Sequence, residues 1–210
     1  DELRHAGRDE GRRFYDVPSE ASLLFVFGGS LGSAALNEAM EKHLRALLET
    51  GPETGDVYVV WQTGNRYYER LKARVPEHPR LRLLEYVDRM DLTYAAADLA
   101  LCRAGAITCS ELMVTGTPSI LVPSPNVAED HQTKNAESMQ KAGAAVLLLE
   151  ARLDARLVPE ARTLLADAER RRKMQEAALR IARPSAADDI AADVLRSAKY
   201  EVRSTKDGGV

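Results

Sequence analysis

The sequence predicts an α/β fold in which a parallel six-stranded sheet is covered by helices on both faces. Short apolar runs alternate with segments of helical periodicity from about residue 22 to residue 149. Most of these runs are apolar throughout, which is typical of parallel strands that are buried on both faces. Because helical crossovers join such strands, we expect right-handed β-α-β connections along this part of the chain.

Strands and helices alternate in the predicted order, and each boundary has a local reason. The apolar runs predict strands at Ser22–Phe27, Val57–Trp61, Leu81–Val87, Leu99–Cys102, Ser119–Val122 and Ala144–Leu149. Apolar residues at helical spacing predict a helix carrying Leu36, Met40, Leu44 and Leu47, and then helices at Asn65–Arg74, Asp91–Ala97, Ala106–Val114 and Asp130–Ala142. Helix ends are marked by Pro76, by Gly116 with Pro118, and by Gly143.

Helices are also predicted on either side of the alternating region. A polar helix should run from Leu3 to Phe14 and end near Pro18. After Glu150 the strands stop, and helices are predicted at Asp154–Asp167, Ala168–Ala182 and Ser185–Ala198. Their apolar faces predict core residues, namely Leu164, Leu165, Met174, Leu179, Ile181, Ile190, Val194 and Leu195. Since no repeat or linker interrupts them, residues 1–198 are predicted to form one domain, and the polar residues 199–210 a disordered tail.

The composition is that of an ordinary globular protein, and it excludes several function classes. The chain has 210 residues and a formal net charge of −3, which argues against a nucleic-acid surface. No apolar run has membrane-spanning length, and the charged N-terminus lacks the apolar core of a signal peptide. Cys102 and Cys109 are expected to be reduced core residues, and no group of Cys and His has metal-ligand spacing.

The segment Cys102–Glu111 is the strongest candidate for a binding site. A buried strand there leads into a helix through a turn at Gly105, so free backbone N–H groups should point beyond the sheet. A helix N-terminus of this kind favours a phosphate or diphosphate, and Glu111 could accept hydrogen bonds from a sugar diol one turn later. The alternative is structural, because Thr108 and Glu111 also have the spacing of a helix capping box.

Two further segments are expected at the same edge of the sheet, because ligands of open parallel sheets bind beyond the carboxyl ends of the strands. Gly28–Gly32 is like a phosphate loop, but Ser30 interrupts the dinucleotide-binding pattern and the lysine of a Walker loop is lacking. The alternative for it is a plain strand-to-helix turn. Asn126–Asn135 opens a helix and contains Gln132, whose amide suits sugar hydroxyls, while His131 also fits ordinary helix N-terminal polarity.

Four segments taken together resemble the MurG family of bacterial UDP-N-acetylglucosamine transferases. They are Gly28–Gly32, Tyr86–Met90, Cys102–Glu111 and Glu129–Ala136, in the family's order and at its spacings. The resemblance runs from about Gly11 to Ala198. It implies a Rossmann-like domain, the C-terminal donor-binding half of a two-domain GT-B glycosyltransferase. The family transfers N-acetylglucosamine (GlcNAc) from UDP-GlcNAc to lipid I, which makes lipid II for peptidoglycan.

The resemblance also implies roles for individual residues. Ser30 would contact the donor diphosphate, and Val87 would hold the uracil through its backbone. The diphosphate and ribose would be bound by the segment Ala106, Ile107, Thr108, Cys109, Ser110 and Glu111, with Glu111 on the ribose hydroxyls. Gln132, together with His131, would contact the hydroxyls of GlcNAc. The implied reaction is an inverting transfer that uses neither a metal nor a cofactor.

The resemblance covers only the second half of the family's fold. We expect the acceptor half, with its catalytic histidine, and a donor-binding arginine to lie upstream of Asp1, so that this chain carries no catalytic residue and is inactive alone. Binding of lipid I and peripheral association with the cytoplasmic face of the cell membrane would use that half. Two alternatives remain: the donor-binding subunit of a two-chain GlcNAc transferase, and a UDP-sugar epimerase-like domain.

Overall fold

The protein is a three-layer α/β domain with one parallel sheet. The computed structural model describes residues 3, 5–125, 130–186 and 189–196. The strands are β1 (Ser22–Phe27), β2 (Val57–Gln62), β3 (Leu81–Leu84), β4 (Leu99–Cys102), β5 (Ser119–Leu121) and β6 (Ala145–Leu147). They are parallel and lie in the order β3-β2-β1-β4-β5-β6. This order reverses between β1 and β4, which is where open parallel sheets bind ligands.

The helices cover both faces of the sheet. They are α1 (Arg8–Phe14), α2 (Ala34–Leu48), α3 (Tyr68–Lys72), α4 (Met90–Ala96), α5 (Ala106–Thr115), α6 (His131–Lys141), α7 (Leu153–Ala166) and α8 (Ala168–Ile181). Residues 189–196 are also helical. Within the described part of the chain, no helix is both long and apolar enough to cross a lipid bilayer.

The position of β1 in the middle of the sheet explains why its sequence is apolar throughout. All six of its residues are buried, and successive side chains point to opposite faces. Leu24 and Val26 join a core with residues of α2 and α7. Leu23, Phe25 and Phe27 join a second core with residues of α4, α5 and α6. The predicted α/β class, the six parallel strands and the helices on both faces are therefore confirmed.

Some predicted boundaries are wrong, and two of them matter. The first helix begins at Arg8 rather than Leu3, because Gly7 has an extended backbone and precedes the first helical turn. The third strand ends at Leu84 rather than Val87. Beyond Leu84 the carbonyl of Glu85 accepts a hydrogen bond from the loop after β2 instead of continuing the ladder. Val87 therefore lies in a loop at the carboxyl edge of the sheet.

The predicted core of the C-terminal helices is partly wrong. Leu164, Leu165 and Met174 are buried as predicted, and Ile181 is partly buried against the second core. Four other residues are exposed, however: Leu179 (47%), Ile190 (64%), Val194 (61%) and Leu195 (63%). Helical periodicity predicts an apolar face but does not determine whether another element packs against it. The predicted tail at residues 199–210 and the segment 126–129 lie outside the described residues.

Candidate functional site

The loop after β1 packs directly against the loop after β2. Gly32 has a positive φ of 77°, and a Cβ atom there would lie 2.0 Å from the carbonyl oxygen of Thr63. A Cβ atom on Gly64 would lie 2.2 Å from the backbone nitrogen of Gly32. Both positions therefore require glycine, and this contact determines the course of the loop. Ser30 is exposed in the same loop.

The side chain of Gln62 connects three of the loops at this edge. Gln62 is the last residue of β2, and its side chain is buried between the neighbouring loops. Its Nε2 donates to the carbonyl of Gly29, at 3.1 Å, and its Oε1 accepts from the N–H of Val87, at 2.9 Å. The loops after β1, β2 and β3 are therefore held in a common arrangement by one amide group.

This hydrogen bond restricts what the backbone of Val87 can offer to a ligand. Val87 as a whole residue is 2% exposed, so its side chain belongs to the core rather than to the surface. Because its N–H already donates to Gln62, the carbonyl oxygen is the remaining backbone group for a base. A carbonyl oxygen accepts hydrogen bonds, as the N3–H of uracil would require.

Arg103 connects the loops on the other side of the sheet. It follows β4 directly, and its Nε donates to Ser33 Oγ at the start of α2, at 3.0 Å. One guanidinium nitrogen donates to the carbonyls of Val122 and Pro123 after β5, at 3.2 Å each. The other forms an ion pair with Glu150 after β6, at 2.5 Å. Four loops therefore meet on one side chain that is only 15% exposed.

The N-terminus of α5 has no side-chain cap. Gly105 is the N-cap residue, and the first turn of the helix contains no acidic residue. The first intrahelical hydrogen bond runs from the N–H of Cys109 to the carbonyl of Gly105, at 2.9 Å. The N–H groups of Ala106, Ile107 and Thr108 precede it and have no partner within the helix. Ala106 and Ile107 are also exposed, so this turn can receive an anion from outside.

The capping-box alternative for Thr108 and Glu111 is wrong. A capping box requires Thr108 as the N-cap residue, but the N-cap is Gly105 and the helix begins at Ala106. Thr108 is therefore the third residue of the helix and Glu111 the sixth. Glu111 instead accepts a hydrogen bond from the hydroxyl of Tyr94 in α4, at 2.9 Å. Burial raises the pKa of the Glu111 carboxyl, and the Tyr94 hydrogen bond partly opposes this effect.

The other predicted residues of this helix differ in their exposure and in whether their backbone N–H groups are free. Ser110 is exposed, whereas Cys109 is 4% exposed and its N–H is already bonded. Cys109 therefore brings neither a free amide nor an accessible side chain to the edge. Burial raises the pKa of its thiol to about 11, so it remains neutral. Cys102 is a second free, buried thiol, and the described residues contain no group of three metal-ligating side chains.

The start of α6 forms another part of the edge. Gln132 accepts from the N–H of Ser124 through Oε1, at 2.9 Å, which leaves its NH2 group to donate. Asn135 donates to the carbonyl of Ala104 in the turn before α5, at 3.0 Å. His131 is the exposed first residue of the helix. These contacts bring the start of α6 beside the start of α5, as the sequence predicted.

A family assignment follows from the sequence as a whole. The pattern described as the glycosyltransferase family 28 C-terminal domain matches residues 23–192. The chain belongs to this family. The matched range contains all six strands, apart from Ser22 at the start of β1, and all of the edge loops described above, so the candidate site lies entirely within the family 28 domain.

Known proteins show the same relationship. The chain is 58% identical to a UDP-N-acetylglucosamine–N-acetylmuramyl-(pentapeptide) pyrophosphoryl-undecaprenol N-acetylglucosamine transferase of Salinibacter ruber, over 92% of this chain and 51% of that protein. The crystal structure of Acinetobacter baumannii MurG has a TM-score of 0.77 and 26% identity, over 93% of this chain and 55% of that one. The chain thus spans about half the length of these family 28 relatives.

A more distant likeness concerns the fold alone. The structure of a putative UDP-N-acetylglucosamine 2-epimerase from Listeria monocytogenes has a TM-score of 0.62. Its identity is 19%, over 87% of this chain and 46% of that one. At this identity the similarity supports the common architecture and does not favour the epimerase alternative over the family 28 transferases.

No role was predicted from the sequence for three residues that organise the candidate site, namely Gln62, Arg103 and Tyr94. A local signal existed for the first two, because each is a polar residue at the carboxyl end of an otherwise apolar strand. Tyr94 had no such signal, since a tyrosine in an apolar helix face reads as an ordinary core residue.

Proposed function

We propose that this chain is the donor-binding half of a GlcNAc transferase and binds UDP-GlcNAc at the carboxyl edge of its sheet. The observation that carries the proposal is the uncapped N-terminus of α5 with the carboxylate of Glu111 in its second turn. The relatives in family 28 support the choice of donor, because the Salinibacter ruber protein is named as a GlcNAc transferase.

Each predicted residue except the buried Cys109 has a role that its geometry permits. The free N–H groups of α5 and the exposed Ser30 hydroxyl would bind the diphosphate, and Glu111 would accept from both ribose hydroxyls. The carbonyl of Val87 would accept from uracil, and Gln132 and His131 would contact the sugar. Ser110, exposed beside Glu111, is proposed to border the ribose. Residues 1–198 would together form this nucleotide-sugar domain.

The proposed reaction is an inverting group transfer. A hydroxyl of the acceptor sugar attacks the anomeric carbon of GlcNAc, and the bond to UDP breaks with its electron pair passing to the diphosphate. The proton of the hydroxyl passes to a base in the acceptor half. Negative charge therefore increases on the diphosphate, and the N–H groups at Ala106–Thr108 are already oriented to stabilise it.

The acceptor is proposed to reach the donor from a second surface above the edge. Four exposed apolar side chains surround the site: Leu31 (51%), Tyr86 (54%), Ile107 (77%) and Leu149 (51%). Exposed apolar groups clustered at one edge are typical of a surface that another one covers. By similarity to family 28 we propose that this surface belongs to the acceptor half, which binds lipid I at the cytoplasmic face of the membrane.

Selective binding of uridine nucleotides tests the proposal. We expect this chain to bind UDP more tightly than ADP or GDP. The Val87 carbonyl is the one backbone acceptor proposed for the base, to pair with the N3–H of uracil, and the hydrogen bond from the Val87 N–H to Gln62 holds it in place. Isothermal titration calorimetry with the three nucleotides measures this difference. Since all three carry the same diphosphate, equal affinities would contradict the assignment of the uracil site.

The pH dependence of UDP binding tests the role of Glu111. Because burial raises its pKa above the ordinary 4.5, the carboxyl should take up a proton at a higher pH than an exposed glutamate does. The ribose hydroxyls then lose their charged acceptor, so the affinity for UDP should fall as the pH is lowered through this range. Titration calorimetry should be compared with 2′,3′-dideoxy-UDP, whose diphosphate titrates in the same way. A constant ratio of the two affinities would contradict the prediction.

A further inference from the structure

Tyr94 lies directly behind the carboxylate that is proposed to bind ribose. The residue is 3% exposed, and its hydroxyl is 2.9 Å from Oε2 of Glu111. Glu111 itself is only partly buried, so its carboxylate is in contact with the core on one side and with the surface on the other. The pair therefore connects the interior of the domain to the candidate binding edge.

The ring of Tyr94 is held by the core beneath β1. It makes edge-to-face contacts with Phe25, at 5.8 Å between ring centroids, and with Phe27, at 6.1 Å. Both phenylalanines belong to the buried central strand. Because the ring cannot move without disturbing these contacts, the position of the Tyr94 hydroxyl is determined by the sheet and not by the flexible surface.

The direction of this hydrogen bond follows from the chemistry of the two groups. An ionised carboxylate only accepts, so Tyr94 must donate its proton to Oε2. Burial raises the pKa of Tyr94, which keeps this proton on the hydroxyl at neutral pH. Oε1 and the remaining lone pair of Oε2 are then left to accept hydrogen bonds from other donors. A vicinal diol supplies two such donors, one from each hydroxyl.

We infer that Tyr94 is a positioning residue for ribose recognition: its fixed hydroxyl orients the Glu111 carboxylate toward the two ribose hydroxyls of the donor. This inference rests on the proposed function, and in particular on the proposed contact of Glu111 with ribose. A glutamate side chain has three rotatable bonds before its carboxylate. Holding it in the binding orientation before the ligand arrives reduces the ordering cost of binding.

The variant Tyr94→Phe tests this role because it removes one oxygen and retains the ring contacts. We expect UDP to bind about three- to tenfold more weakly, the effect of one hydrogen bond, while 2′,3′-dideoxy-UDP binds as tightly as before. In the Glu111→Ala background, which has no side-chain acceptor for Tyr94 to orient, Tyr94→Phe should cause no further loss that depends on the ribose hydroxyls. Titration calorimetry on the four proteins with both nucleotides measures this coupling.

Tyr15→Phe is the matched control. Tyr15 is also a buried tyrosine in this core, and its hydroxyl bonds to Thr93 Oγ1 at 2.6 Å, away from Glu111. Its loss should lower the melting temperature, as a buried hydrogen bond does, without changing the ratio of the two nucleotide affinities. This control separates a general loss of stability from an effect on ribose recognition.

Three results would overturn the inference. Tyr94→Phe could weaken both nucleotides equally, which would make the hydroxyl a purely structural contact. It could leave the affinity for UDP unchanged, although the parent prefers UDP to the dideoxy nucleotide; the proposed function would then stand without a role for Tyr94. Finally, a parent that binds both nucleotides equally would contradict the ribose role of Glu111 itself, and this inference with it.

Discussion

Replacing Glu111 with glutamine is expected to weaken UDP binding by about ten- to hundredfold. Glutamine has the same size, and its carbonyl oxygen can still accept from Tyr94, so the packing of α4 on α5 should persist. What is lost is the charge of the acceptor that is proposed to bind the two ribose hydroxyls. Hydrogen bonds to a charged group contribute about 1.5–3 kcal/mol, which corresponds to this loss of affinity. Titration calorimetry on this chain measures it.

The charge of Glu111 also repels the diphosphate, and this effect has the opposite sign. The free N–H groups that would bind the diphosphate belong to the first three residues of α5, whereas Glu111 is the sixth residue. The repulsion therefore acts over a longer distance than the hydrogen bonds to ribose, so we expect the loss to dominate. The parent and the glutamine variant should bind 2′,3′-dideoxy-UDP alike. A variant that melts normally and retains the parent's affinity for UDP would show that Glu111 serves only to contact Tyr94.

Replacing Arg103 with alanine is expected to lower the free energy of unfolding by about 2–4 kcal/mol. The substitution leaves the hydroxyl of Ser33 and the carbonyls of Val122 and Pro123 without their common donor, and the carboxylate of Glu150 without its ion-pair partner. The Oε2 atom of Glu150 that faces Arg103 is buried, but the Glu150 side chain as a whole is 29% exposed. Water can therefore hydrate the rest of the carboxylate, and the expected value lies below that of a fully buried ion pair. Urea denaturation followed by circular dichroism measures the change.

The same variant should also weaken UDP binding, because Arg103 fixes the turn that leads into α5. Arg172→Ala is a suitable control, since Arg172 forms ion pairs with Glu169 and Glu176 but its side chain is 53% exposed. Exposed ion pairs contribute little to stability, so the control should unfold at nearly the parent's urea concentration. If Arg103→Ala unfolded there as well, the role of Arg103 in joining the four loops would be wrong.

The sequence alone predicted the candidate site to the level of segments but not of contacts. It placed the glycine loop, the turn at Gly105 and the start of α6 at one edge, because the carboxyl ends of parallel strands lie together. It left Glu111 between two roles, since the spacing of Thr108 and Glu111 fits a capping box. That question required the position of the helix start, because a capping box needs a helix that begins at Cys109, three residues after Ala106, and the sequence does not distinguish these two starts.

The order of the elements and the class of fold were determined by the sequence by itself. Apolar runs such as Ser22–Phe27 and Leu99–Cys102 indicated strands that are buried along their whole length. Such strands need a layer of helices on each face of the sheet, which determines the class of fold. Local composition also determined most turns, since glycine permits backbone conformations that other residues avoid and proline fixes its own φ angle. These effects depend on neighbours in the chain, and for that reason they can be read without coordinates.

Only the tertiary structure decided which side chains meet. Tyr94 and Glu111 are separated by 17 residues, and Arg103 and Ser33 by 70, so their hydrogen bonds depend on strand register and on how the loops pack. The exposure of Ile190 and Val194 was decided in the same way, since an amphipathic helix is buried only where another surface covers it. A pattern along the chain determines which face is apolar, whereas the contacts of that face depend on elements distant in sequence.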